Sequence, residues 1–133
     1  MVRVLAKGGT VLLADVAIPA AAHADAYDAL ECLRDPSHVG VVRGGGRGMA
    51  ALLRICGLAR DASRSYSYPF TADAEDIMVA SFPDLEASRD AWLEMLRVDG
   101  PAGRLGIEVN VSAGKQIRYA VPIAVEVACK SSA

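Results

Sequence analysis

The densest chemical signal in the chain is Arg43-Gly44-Gly45-Gly46-Arg47-Gly48, set directly before an apolar-periodic run. Free amides at a helix N-terminus flanked by arginines suit an anion. The segment lacks the Lys-Ser/Thr of a phosphate-binding loop, and Met49 stands where a G-x-G-x-x-G turn needs its last glycine, so a flexible loop is the favoured reading. His23 and His38 could each act as a general base near neutral pH, and His23 has Asp25 close by. Neither has an implied Ser, Cys or metal partner, which favours surface positions. Asp15 interrupts an apolar strand, a costly placement unless its carboxylate is paired or faces a cleft. Tyr66, Tyr68 and Phe70 read first as loop packing and second as a pocket lining. Cys32, Cys56 and Cys129 are odd in number and widely spaced, with no C-x-x-C pair or Cys/His cluster. They suggest neither a zinc site nor a disulfide framework, and Cys56 reads as a small core residue. No cofactor and no metal are expected.

The elements that must hold these residues follow from periodicity. Two apolar runs around Lys7-Gly8-Gly9-Thr10 predict a β-hairpin over Val2–Ile18, ended by Pro19. Ala20–Arg34 has helical spacing, and Asp35-Pro36 breaks it. Val39–Arg43 is a short strand. Met49, Leu52, Leu53 and Cys56 fall on one face of a helix over Met49–Arg60, which Gly57 weakens by about 1 kcal/mol relative to alanine. Asp61–Thr71 is extended and partly exposed, and Asp76–Phe82 is a strand. Asp84–Arg97 is the clearest helix: acidic at its start, basic at its end, with a stripe of Leu85, Trp92, Leu93 and Leu96. Strict alternation over Leu105–Val111 and Ile117–Val127 predicts an antiparallel hairpin with one face on a core. Pro122 cannot donate to a ladder and should lie at an edge or bulge.

The chain has 133 residues, enough for one domain over 1–133. A hydrophobic share of 53% against 23% charged is a globular balance. The formal net charge of −2 gives no bulk attraction to nucleic acid or to an anionic membrane. No apolar run is long enough to span a bilayer and the start lacks a signal-peptide pattern, so the cytoplasm is the expected location.

In this order the elements resemble the RidA/YjgF superfamily. The likeness rests on Phe82-Pro83-Asp84-Leu85 entering a helix, on Pro101-Ala102-Gly103-Arg104-Leu105-Gly106-Ile107-Glu108-Val109, which is similar to that family's Pro-Ala-Arg-x-x-Val-Glu-Val signature, and on Val125-Glu126-Val127-Ala128. Gly8-Gly9-Thr10 through Pro19 is similar to its first strand. Where that family has Ser-Gly-Gln, this chain has Ala14-Asp15-Val16, and Arg89 replaces a helix asparagine, which marks a divergent member. The resemblance implies an α+β, chorismate-mutase-like mixed sheet with helices on one face, assembled as a homotrimer with clefts between subunits. It implies hydrolysis of imines or enamines, or a related biosynthetic step, on a small carboxylate-bearing substrate. Arg104 would grip the carboxylate by a two-pronged hydrogen bond, with Arg89 as a second anion contact. Asp15 or Glu126 would orient or activate the attacking water. A non-catalytic ligand-binding or interaction trimer of the same fold is the alternative.

Overall fold

The structure, a computed structural model, describes residues 5–72, 82 and 86–131. Strand β1 (Thr10–Ile18) leads through Pro19-Ala20 into helix α1 (Ala21–Arg34), and the chain returns to a two-residue strand, β2 (Val42–Arg43). Helix α2 (Gly45–Ile55), strand β3 (Leu58–Thr71), helix α3 (Glu86–Asp99), strand β4 (Glu108–Val111) and strand β5 (Ile117–Lys130) follow. The sheet runs β2-β1-β5-β3, with β4 also against β5. β1 and β2 are parallel, whereas β5 is antiparallel to both β1 and β3. Hence β1, β2 and β3 share one direction, and the last strand of the chain lies between the first and third.

Helices cover both faces of this sheet, not one. Paired residues share a face, so the registers Leu13↔Glu126 and Ser63↔Glu126 put the even residues of β5 together with Leu13 and Ala17. On that face α2 packs Met49 against Ala17 and Ala124, and Leu53 against Leu58 and Ala128. The odd residues Ile117, Tyr119 and Val121 join Ile18 in the main core with Ala24, Tyr27 and Leu30 of α1 and Trp92 and Leu96 of α3. The expected one-faced α+β arrangement is therefore corrected. That arrangement was implied by the resemblance and left the face of Ala120, Ala124 and Glu126 without a helix; alanines in a central strand instead let a helix approach closely.

Other expectations meet mixed outcomes. Residues 1–4 lie outside the described set, but Leu5–Gly9 form a turn and not a strand, with Gly8 N–H donating to the Lys130 carbonyl at 2.9 Å. The helix predicted from Met49 begins earlier, at Gly45, and stops at Gly57, whose φ of +72° is the left-handed conformation that ends helices. Gly48 is required inside it, because a Cβ there would lie 1.7 Å from the Arg43 carbonyl oxygen. Leu52 and Cys56, expected on its buried face, are exposed. The strand expected over Asp76–Phe82 lies outside the described residues except for Phe82, which is buried beside Trp92. Leu85 is also outside them.

Pro122 sits at an internal break in the ladder. On one side β5 pairs continuously with β3 (Ser67↔Pro122). On the other, β1 ends its pairing at Val16↔Ile123 and β4 at Glu108↔Ala120, so Pro122 falls between them. A central strand tolerates the missing N–H there because no neighbour lies opposite.

Candidate functional site

The even face of β5 has two halves. Under α2, Glu126 is fully buried, and its carboxylate is matched by a two-pronged Arg60 guanidinium (Nε to Oε2 2.6 Å, Nη2 to Oε1 3.1 Å) and by Ser63 Oγ, which donates to Oε1 at 2.7 Å. The register shift between Arg60 and Ala62 accompanies this arrangement. A Cβ on Gly46 would be 3.4 Å from Oε1, so the first turn of α2 closes directly over the carboxylate. A buried charge with its lone pairs filled in this way fixes β5 to β3 beneath α2.

Beyond α2 the same face lies open as a groove of about 440 Å³, lined by Pro69, Thr71, Glu108, Asn110, Arg118 and Ala120. The registers Thr71↔Arg118 and Asn110↔Arg118 flank Arg118 from both sides, and Glu108↔Ala120 puts Glu108 one diagonal step away. Arg118 is exposed. The groove lies where β3 ends, at the carboxyl-terminal end of the parallel strands, the end at which open α/β sheets bind ligands. Behind it the Tyr119 ring stacks on Phe70 with centroids 5.1 Å apart. Burial pushes the Tyr119 phenol up to about 12, so it stays protonated and acts as a wall, not a base.

A second polar cluster ties α1 to the sheet rim. Asp28 accepts from His38 Nε2 at 2.9 Å, from the Val41 N–H at 2.8 Å and from Arg43 Nη2 at 2.9 Å, and Arg43 also meets Asp25 at 2.5 Å. Burial would raise the Asp28 pKa, but the His38 hydrogen bond, the Val41 amide and the Arg43 charge outweigh it and hold the carboxyl below its usual range. His38 is thus a tether partner of Asp28. His23 lies under Gly106, where a Cβ would come within 2.8 Å of its own Cβ.

Of the site residues predicted from sequence, Asp15 and Glu126 share the even face one diagonal step apart, because Leu13 pairs with Glu126 and Asp15 with Ala124, while Arg104 and Arg89 are held by partners of their own. Asp15 is exposed on β1 and accepts from the Val16 N–H at 2.7 Å. Glu126 is the buried anchor just described. Arg104 is bound to Asp99 at the end of α3 (2.8 Å), and Arg89 lies 3.5 Å from Asp90. No hydrogen bond or ion pair joins any two of these four among the described residues. Arg118 and Asn110 were missed, although the hairpin turn around Ser112–Lys115 and strict alternation already put them opposite each other. Among the described residues no His, Cys, Asp and Glu cluster could hold a metal, and no helix is long and apolar enough to cross a membrane.

No protein-family model matches the chain, and no curated protein matches it. Solved structures do. A Bacillus halodurans protein whose methyltransferase assignment is provisional superposes with a TM-score of 0.79 at 20% identity, covering 98% of this chain and 59% of its own. The YcgJ protein of Bacillus subtilis superposes with a TM-score of 0.79 at 19% identity, covering 99% of this chain and 55% of its own. The chain shares their fold. It spans only a little over half the length of either. This overturns the RidA/YjgF resemblance, together with the chorismate-mutase-like sheet, imine or enamine hydrolysis and the trimeric binder built on that fold. The physical source of the error is the short signature around Arg104, which matched by composition while the strand order differs.

Proposed function

We propose that this chain supplies the acceptor-binding side of a methyl-transferring fold. The observation that carries the reading is the groove around Arg118, at the carboxyl-terminal end of the parallel strands of a sheet shared with a structure named as a methyltransferase. A guanidinium with no carboxylate directly opposite it, flanked by Asn110 and Thr71, suits a small carboxylate-bearing acceptor. Methylating a nitrogen or oxygen releases a proton, and the exposed Glu108 carboxylate on the same face is placed to accept it.

The methyl donor implied by such a fold is S-adenosylmethionine. Adenosine-containing ligands on βαβ units use a glycine-rich turn after the first strand and an acidic residue ending the next. Here the turn after β1 is Pro19-Ala20, and β2 ends in Arg43, already engaged by Asp25 and Asp28. The glycine segment that opens α2 leads into Met49, which is buried against Ala17 and Ala124. These residues do not fit the donor.

Calorimetric titration tests the division of labour. Small aromatic carboxylates should bind weakly, with Kd about 1 mM, and Arg118→Ala should abolish that binding without unfolding the chain. Tight binding of S-adenosylmethionine to this chain alone, with no carboxylate binding, would overturn the assignment.

A further inference from the structure

The open groove continues past Arg118 toward the hairpin turn. Backbone pairing extends beyond β4, because the Ser112 N–H donates to the Gln116 carbonyl at 3.0 Å. The rows Glu108–Ala120 and Asn110–Arg118 are therefore followed, on the same face, by a third row of Ser112 and Gln116. Rows two residues apart lie about 7 Å from each other, so the three span roughly 14 Å. A second cavity of about 430 Å³ sits on the last two rows, lined by Asn110, Ser112, Gln116 and Arg118. It shares Asn110 and Arg118 with the first. Arg118 thus stands at a junction, and a carboxylate that it grips has open groove on either side.

The two arms differ in chemistry. Toward Ala120 the floor is partly apolar, with Pro69 paired to Ala120 and Glu108 on its other side. Toward Gln116 every lining side chain among the described residues is polar, and Arg118 alone is charged. Asn110 and Gln116 each offer a carbonyl oxygen and an NH2 group, so together they match a group that both donates and accepts, as a secondary amide does. An ammonium is unsuited to this arm: it meets no carboxylate there and stands close to the Arg118 charge. A plain aromatic acid fills only the arm of Pro69 and Ala120 and leaves the other to water.

We propose that the groove takes N-acyl α-amino acids, with the carboxylate on Arg118, the side chain over Pro69 and Ala120, and the amide between Asn110 and Gln116. Such a molecule carries all three groups on one carbon, the branching that a junction between two unlike arms requires. The far end of its side chain then lies toward Glu108. The inference rests on the acceptor reading, which supplies the carboxylate at Arg118, and adds the second arm.

Calorimetry on the intact chain with three probes that differ at one substituent tests it. 3-Phenylpropionate has the ring and carboxylate alone and should bind with Kd about 1 mM. N-acetylphenylalanine should bind about tenfold more tightly, and phenylalanine, with its ammonium, more weakly than either. Gln116→Ala should bring N-acetylphenylalanine back to the affinity of 3-phenylpropionate. Its near-ultraviolet circular dichroism should be unchanged, because the backbone carbonyl keeps its bond to Ser112. Equal affinity for the N-acetyl compound and 3-phenylpropionate, an acetyl gain that survives Gln116→Ala, or phenylalanine binding as tightly as its N-acetyl derivative would overturn the second arm and leave the acceptor reading standing. Absence of saturable binding of either acid up to about 10 mM would overturn the acceptor reading and this inference with it.

Discussion

The two faces of β5 put the same strand to opposite uses. The odd face presents Ile117, Tyr119 and Val121 to a wide core, where Trp92 meets both Phe82 and Tyr119 edge-on. The even face presents Ala124, Glu126 and Ala128 to a single helix that passes close above. Large residues fill the distance to the helices on one side; small ones remove it on the other. The difference lies in side-chain volume more than in polarity. The fully buried carboxylate beneath α2, Glu126, is tolerated because Arg60 and Ser63 both donate to it.

Four substitutions break or sharpen that contrast. The largest effect is expected for Glu126→Ala, which removes the carboxylate and leaves Arg60 and Ser63 facing a void. Urea unfolding should show a loss of about 2–3 kcal/mol, less than the full cost of stripping a buried partner because Arg60 can turn to water. Ala124→Leu should cost about 2 kcal/mol by wedging α2 off the sheet, while Ile123→Leu on the opposite face should cost less than about 1.5 kcal/mol. Equal costs at the two neighbours would mean that the faces are packed alike. The smallest effect belongs to the rim, at Asp28. Its folded-state pKa is depressed, so its stabilisation is complete above the ordinary aspartate value of about 3.9 and fades as pH falls through the lower folded value. Asp28→Asn should therefore unfold at lower urea than the parent chain at pH 7, and the gap should narrow at pH 3.

Much of the local structure was legible in the sequence. The helices around Ala21–Arg34 and Glu86–Asp99 and the hairpin of Glu108–Val111 with Ile117–Lys130 followed from periodicity, whereas Pro122, expected at an edge or a bulge, lies in the central strand where β1 and β4 leave a gap. The architecture was not legible, because alternation in β5 says which residues share a face but not whether the face of small residues meets water or a helix. Nor does any local pattern reveal that β5 inserts between β1 and β3. The candidate groove was hidden for a related reason. Arg104 stood in a familiar-looking string, yet it ends in an ion pair with Asp99. Arg118 stood in no string and was recoverable only from the register of its hairpin.

The pairing of β1 with β5 also constrains when the molecule can form. Thr10 lies beside Cys129, 119 residues along the chain. At ribosomal rates of about 5–20 residues per second, the first strand must wait roughly 6–24 s for the strand that flanks it. Through that interval both edges of β1 are open, and it has only the two-residue β2 to lean on. Closing so long a loop also slows folding once synthesis ends. The schedule of this molecule is set by its final strand: until residues 117–130 arrive, the strand that begins the sheet has no place in it.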